Sequence, residues 1–223
     1  MKPSSARWSS LILGAITFVA AARADIVYDN TTTLVPFSYY TTSEYGDQIQ
    51  LAGSARQVTE FAFEYFGDFG STANAQAQIT FYKNDGPGTF LKPQTVLWTS
   101  SLFPVSAGFS SAYLDVPNVV VPDGFTWSVK FTGLAQTASN RAGLLIYDPP
   151  TVGGILPGNI LGSYGDFWRK DAVSGVWTLF NFNQNPNANF AARVTAVPEP
   201  ASVLLLGLAC GALGVARFVG RPH

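Results

Sequence analysis

Residues 25–196 predict an all-β domain, an antiparallel β-sandwich of jelly-roll-like type, and three observations point that way. Apolar residues recur every second position: Phe61, Phe63 and Tyr65 alternate with Glu60, Ala62, Glu64 and Phe66. Likewise Ala75, Ala77, Ile79 and Phe81 alternate with Gln76, Gln78, Thr80 and Tyr82, and Trp127, Val129 and Phe131 with Thr126, Ser128 and Lys130. A period of two puts one face of a strand into a core and leaves the other wet. Turn-forming clusters then punctuate the chain, densest at Asn84-Asp85-Gly86-Pro87-Gly88 and again at Pro122-Asp123-Gly124, Asp148-Pro149-Pro150 and Gly153-Gly154. Finally, no stretch of the body has the 3.6 period of a long amphipathic helix, and none repeats at a solenoid or propeller period.

Taken in order, the expected strands are 26–28, 47–51, 58–66, 75–82, 96–101, 112–116, 127–131, 143–146, 176–180 and 190–195. The stretch 53–56 reads as a turn with Arg56 facing solvent. Short strands at this spacing within one domain suit a sandwich, with a closed barrel as the alternative. The 17 Phe and 9 Tyr of the whole chain suit a thick core between two sheets.

Both ends read as addresses rather than fold. Lys2 and Arg7 precede an apolar run over 11–22, followed by Ala22-Arg23-Ala24, a small-x-small cleavage site. This is a secretory signal peptide over 1–24. Cleavage after Ala24 leaves Asp25 first, and the Sec translocon is the implied partner. At the other end, Val197-Pro198-Glu199-Pro200 is followed by an uncharged apolar run over 201–216 and then by Arg217 and Arg221. Two prolines two apart stop a strand and hold the backbone extended. As a helix the run reaches roughly 24 Å against a ~30 Å hydrocarbon core. Adding Phe218 and Val219, with Arg217 snorkelling, brings it close to spanning. The basic end stays cytoplasmic, so the body lies outside. Gly207 and Gly211 form a small-xxx-small pair that lets helices approach in lipid. The expected organisation is therefore a signal peptide at 1–24, an ectodomain at 25–196 and a sorting tail with a transmembrane helix at 197–223.

This tail resembles the PEP-CTERM sorting signal. Pro198, Glu199 and Pro200 match its triplet, Arg217 and Arg221 its basic end. The departure is that Phe218, Val219 and Gly220 separate the arginines. The resemblance implies a Gram-negative bacterial protein processed by an exosortase, a membrane-embedded transpeptidase-like enzyme. Its destination is then the cell surface or extracellular matrix, after a transient stay in the inner membrane. The body is also similar to the ectodomains that precede such tails, through Glu44-Tyr45-Gly46-Asp47, Phe61-Ala62-Phe63-Glu64-Tyr65-Phe66-Gly67 and Ala142-Gly143-Leu144-Leu145. That likeness implies an exported β-sandwich and names no substrate.

Composition narrows the chemistry. Over 25–196 there are eight Lys/Arg against thirteen Asp/Glu, a net of −5 that the whole-chain value of −1 hides. An acidic surface argues against nucleic acid or anionic lipid as a partner. The sole cysteine, Cys210, lies in the tail and the sole histidine, His223, is the last residue. The body therefore lacks both residue types, which removes Ser-His-Asp and Cys-His catalysis and zinc sites built on His or Cys. Carboxylates remain for glycoside hydrolysis, namely Glu44, Glu60 and Glu64. Glu60 and Glu64, four apart on one strand face, lie roughly 13 Å apart, beyond the ~5–9.5 Å that hydrolases use.

The sequence therefore predicts a protein that is not an enzyme and needs no cofactor. A structural calcium ion is left open at turn residues Asp29 with Asn30, Asp47, Asn84 with Asp85, or Asp148. The candidates for stacking on sugar rings are Tyr39, Tyr40, Tyr45, Tyr164 and Trp168, with the best patch at Tyr164-Gly165-Asp166-Phe167-Trp168-Arg169. The expected role is structural or adhesive, at the cell surface or in an extracellular polysaccharide. The alternatives are a glycan-binding module and a carboxylate-dependent glycoside hydrolase.

Overall fold

The computed structural model describes residues 23–70 and 74–199. Most of the signal peptide, with Ala22, and the tail from Pro200, with its expected transmembrane helix, Arg217 and Arg221, lie outside the described residues. Among the described residues there is no helix, and so none long and apolar enough to cross a membrane. Fifteen strands, numbered in chain order, run antiparallel to every neighbour with which they pair.

Six form a first sheet: β1 (Asp25–Asp29), β2 (Leu34–Tyr39), β4 (Gln57–Asp68), β8 (Gly108–Val120), β10 (Arg141–Tyr147) and β15 (Ala192–Val197). Seven form a second: β3 (Tyr45–Gln50), β5 (Gln76–Asn84), β6 (Pro93–Thr99), β7 (Phe103–Pro104), β9 (Gly124–Thr132), β13 (Asp166–Lys170) and β14 (Trp177–Asn181). A two-residue hairpin, β11 (Ile155–Leu156) and β12 (Ile160–Leu161), stands apart. The two sheets share one apolar core, an arrangement consistent with a β-sandwich.

The alternation seen in the sequence fills that core. Phe61 and Phe63 of the first sheet meet Trp127 of the second at ring distances of 5.2 and 6.1 Å, and Phe61 meets Phe81 at 5.2 Å. Strand β4 organises the first sheet. One edge pairs with β8 along its length, and the other is shared between β15, up to Phe63, and β10, from Tyr65.

One side chain ties the sheets together by hydrogen bonds. Tyr45, fully buried on β3, crosses the core. Its hydroxyl donates to the Tyr39 carbonyl at 2.8 Å and accepts from the Leu144 N–H at 3.0 Å. Tyr39 and Leu144 are cross-strand partners in β2 and β10, so the phenol plugs into the opposite sheet's ladder. Next to it a Cβ on Gly143 would stand 2.3 Å from the Tyr39 carbonyl oxygen, so β2 packs this closely only against glycine.

Each of the ten expected strands has its counterpart. The strand expected at 112–116 is much longer, running through Gly108–Val120, and β2, β7, β11, β12 and β13 are additions. Two expectations need correction. Thr126 and Ser128 are not wet. Both are fully buried, and Thr80 and Tyr82, expected on the wet face of β5, are buried as well, because side chains from β5, β13 and β14 cover the outer face of the second sheet. Arg56 does not face solvent. Its guanidinium folds back onto the carbonyls of Ala52, Gly53 and Ala55 and pairs with Asp123 at 2.7 Å, offering fixed donors where a turn leaves acceptors open.

Replacing Tyr45 by Phe keeps the ring and strands a buried N–H and C=O. Such a loss costs about 1–3 kcal/mol, so chemical denaturation should show a lowered midpoint with an unchanged slope. A variant as stable as the parent would remove this hydroxyl from the account of inter-sheet packing.

Candidate functional site: a groove on the second sheet

The outer face of the second sheet is built on a register. Trp168 of β13 stands opposite Gly46 of β3, and Gly46 opposite Ser128 of β9. A Cβ on Gly46 would fall 1.9 Å from the Trp127 carbonyl oxygen, so only glycine lets β3 and β9 approach this closely. The Trp168 indole packs with Tyr82 and Trp177 into an apolar cluster that Leu179 completes.

Beside this cluster lies a charged network. Glu44 accepts at Oε1 from the Tyr82 hydroxyl at 2.7 Å and from the Ser128 hydroxyl at 2.6 Å, and at Oε2 from Lys170 Nζ at 3.2 Å. The ammonium stands 5.5 Å from the Tyr82 ring and 5.4 Å from that of Trp177, within cation–π range of both. Tyr82 and Trp177 meet edge to face at 5.3 Å. Burial, then the Glu44 charge, raises the Tyr82 phenol well above its ordinary pKa, so it stays a donor at any physiological pH. The network thus packs against the ring of Trp177, the first residue of β14.

Above it a groove of about 520 Å³ opens. Gln48, Asn84, Gly124, Trp168 and Leu179 lie along the sheet; Thr89, Phe90 and Leu91 come from the β5–β6 loop, and Pro157, Tyr164 and Asp166 from the segment leading into β13. A recess of about 260 Å³ shares Thr89, Phe90, Trp168 and Leu179 and extends past Trp177 and Thr178 to Lys92. Burial raises the pKa of the Asp166 carboxyl. Trp168 is only 2% exposed, so it is a supporting wall. The Phe90 ring, 65% exposed at the rim, is the one presented to solvent.

The segment carrying Tyr164 and Asp166 is anchored through Asp47, which is fully buried on β3. Its Oδ2 accepts from the Ser163 hydroxyl at 2.9 Å and from the Phe190 N–H at 3.2 Å. Burial drives the Asp47 carboxyl well above the usual range, outweighing these two bonds. Tyr28 is buried beside it, its ring against Gly153 and Gly162, and its phenol is raised by burial and by the Asp47 charge.

Of the expected sugar contacts, Tyr164 and Trp168 do come together in the groove. Tyr45 and Tyr39 do not, being spent on the core. Tyr40 lies under the Arg141 guanidinium at 3.8 Å. Asp166, part of the expected patch, lines the groove as well; expectation missed Phe90, Gln48 and Trp177, and took Asn84 only for a turn or calcium residue. The three glutamates cannot form one catalytic centre. Glu44 is on the outer face of the second sheet. Glu60 and Glu64 are on the outer face of the first, where Glu64 accepts from the Tyr147 hydroxyl and Glu60 lines a separate groove with Tyr113 and Asp115.

The calcium candidates are likewise dispersed and engaged. Asp29 holds Arg193 at 2.8 Å and caps Thr31, and the Asn30 amide donates to the Tyr147 and Phe190 carbonyls. Asn84 accepts from Thr126, and Asp85 accepts from the Thr95 N–H and hydroxyl. Asp148 accepts from Asn187 and Asn189. Among the described residues no group of three or more His, Cys, Asp or Glu is placed to hold a metal ion. Of the sorting residues, Val197 ends β15, opposite Gln57, and Pro198 and Glu199 follow it; Ala24 immediately precedes β1, whose Asp25 stands opposite Ala196.

Comparison with known protein families, with curated proteins and with solved structures found no match for this chain.

A buried acid with a raised pKa gives an inverted pH signature. The unfolded carboxyl titrates near ~4, and the folded one higher, so the folded state binds more protons between the two values. The contribution of Asp47 is then full below ~4 and is lost as pH rises through the folded pKa. Asp47→Asn, which mimics the neutral acid, should melt at a higher temperature than the parent at pH 8 and lose that advantage at pH 4. An Asn variant less stable than the parent at pH 8 would show that the ionised acid is the form the fold requires.

Proposed function

We propose that this chain is an exported protein of a bacterial cell surface or extracellular polysaccharide matrix, with a structural and adhesive role that is not catalytic. In this reading, the groove of the second sheet holds neutral glycan. The observation that carries it is the lining of that groove: an exposed ring at Phe90, aromatic walls at Tyr164, Trp168 and Trp177, and polar groups at Gln48, Asn84, Thr89 and Thr178. Aromatic and apolar walls with a few convergent polar groups are what a ligand with both apolar and hydroxyl-bearing surface requires. The only charges along it are Asp166 and Lys92.

Successive strands β2 to β5 and β7 to β10 switch sheets at every step, which supports a jelly-roll-like sandwich. Export rests on the two addresses of the sequence. The Sec translocon takes the chain across by its signal peptide, and an exosortase-type enzyme processes the tail at the inner membrane. The strands of the body begin at Asp25 and end at Val197, where the two addresses leave off.

Trp168 and Trp177 make the groove self-reporting. Titrating the protein with soluble neutral oligosaccharides should shift its tryptophan emission saturably, and Phe90→Ala should weaken the apparent affinity by at least about tenfold, or 1.4 kcal/mol. Ile26→Ser, on the opposite sheet, should leave it unchanged. No response to any neutral glycan, or equal affinity in the Phe90 variant, would remove the groove from the reading.

Sorting is tested in a host that carries the processing enzyme. Replacing Pro198, Glu199 and Pro200 with alanine should leave the protein in the inner membrane at the mass of Asp25 to His223. Normal trimming and release of that variant would exclude the tail assignment.

A further inference from the structure

The free edges of the two sheets are not treated alike. A strand edge exposes unpaired N–H and C=O groups, and proteins blunt it with prolines, bulges, charges or brevity. Strand β1 carries a register shift and an aspartate at each end. Pro36 and a register shift interrupt β2. Pro93 opens β6, which shifts register twice against β5. β14 has only five residues.

Strand β8 is the exception. Among the described residues it pairs with β4 alone, and apart from Gly108 at φ 83°, where the strand begins, its devices lie at its far end, where Pro117, Asn118 at φ 54° and a register shift fall. From Phe109 to Leu114 the strand is regular and carries no charge. Its outward face shows Phe109 at 71% and Tyr113 at 79% exposure. Phe109 stacks on Phe66 at 4.9 Å, and the two line an apolar groove of about 250 Å³ with Leu34, Phe37 and Leu145. The apolar surface thus runs directly up to the unprotected edge.

We propose that β8 pairs antiparallel with β8 of a second copy of this chain, about a two-fold axis at Ser111. The occupant follows from the strand's own pattern. Antiparallel pairing about Ser111 places Phe109 of each copy opposite Tyr113 of the other, twice by symmetry, and aromatic cross-strand pairs are among the favourable ones. The same register sets Asp115 opposite residue 107 of the partner, so the one carboxylate of the segment never faces its own copy. A charged or proline-bearing partner strand would forgo the aromatic pairs. The first sheet then continues across the pair, and the groove of the second sheet takes no part.

The test uses the full chain with Cys210→Ser, which leaves no other thiol. The parent should sediment as a dimer at micromolar concentration. Phe109→Lys with Tyr113→Lys puts Lys opposite Lys at both aromatic pairs and should raise the dissociation constant at least about tenfold; both side chains are exposed, so a native melting curve checks the fold. Ser111→Cys should cross-link under mild oxidation, since facing Cα atoms in an antiparallel pair lie about 4.5–5.5 Å apart, within disulfide reach. A monomeric parent overturns the proposal, including the case in which another protein's strand covers β8. So does a dimer that ignores the double Lys variant and fails to cross-link. Phe90→Ala should leave the dimer intact, so failure of the glycan reading and failure of this one are separable.

Discussion

The Asp47 carboxyl is the constraint from which the groove hangs. Two long connections of this domain, 148–165 and 182–191, carry little regular structure beyond the short β11–β12 hairpin. Asp47 takes a donor from each, the hydroxyl of Ser163 and the N–H of Phe190. It does so from inside the core, where an unpaired polar group is expensive and a paired one correspondingly directive. Ser163 adjoins Tyr164 and stands three residues before Asp166, so what Asp47 fixes is one wall of the groove. Its own strand also carries Tyr45, whose hydroxyl enters the opposite sheet, and Gly46, whose missing side chain lets β9 approach. Three consecutive residues of β3 thus set the sheet spacing, the strand spacing and the loop position.

The two outer faces follow different logic. On the second sheet, charge is drawn inward: Glu44, Lys170, Tyr82 and Ser128 satisfy one another and support Trp177. Such partly buried networks gain little net stability, because desolvation offsets attraction. What they supply is position, and an aromatic wall of a binding groove needs position. On the first sheet, by contrast, Phe109 and Tyr113 stand exposed along β8, and the polar contacts are smaller groups, Asp29 with Arg193 and Thr31 and Glu64 with the Tyr147 hydroxyl. Apolar residues left exposed in a contiguous patch, as at Phe109, Phe66 and Phe37, mark surfaces that meet something.

The strands were legible wherever apolar core residues alternate with polar ones, whether the polar face is half exposed, as in β4, or covered by other side chains, as in β9. Residues 58–66, 75–82 and 127–131 declare themselves, and their apolar partners fill the core as read. β13 did not, since Asp-Phe-Trp-Arg-Lys puts large side chains on both faces: Phe167 in the core, Trp168 under β14's cover. β2 did not because Pro36 breaks the pattern of an edge strand. The groove was half legible. Tyr164 and Trp168 stood out as aromatics among polar residues, but Phe90, Gln48 and Asn84 reach them only through the order β13-β3-β9-β5, which no local pattern encodes. Asp47 read as an ordinary turn or calcium aspartate, because composition and spacing carry no sign that a carboxyl is buried.

Placement of groove and edge on different sheets bears on the adhesive role proposed above. A groove that grips a few sugar units gives modest affinity, since hydroxyl groups must exchange water for protein partners at little net gain. Two such grooves held in one assembly convert the second contact into an intramolecular one, with an effective concentration that can lift avidity by 10²–10⁴ when the spacing allows both to engage. Joining copies along β8 would leave both grooves open, because β8 edges the first sheet while the groove lies on the outer face of the second. A dimer formed through the groove face would instead occlude the proposed ligand. A repeating polysaccharide supplies the matching requirement, identical sites at regular intervals. Weak individual contacts are then sufficient for the proposed role.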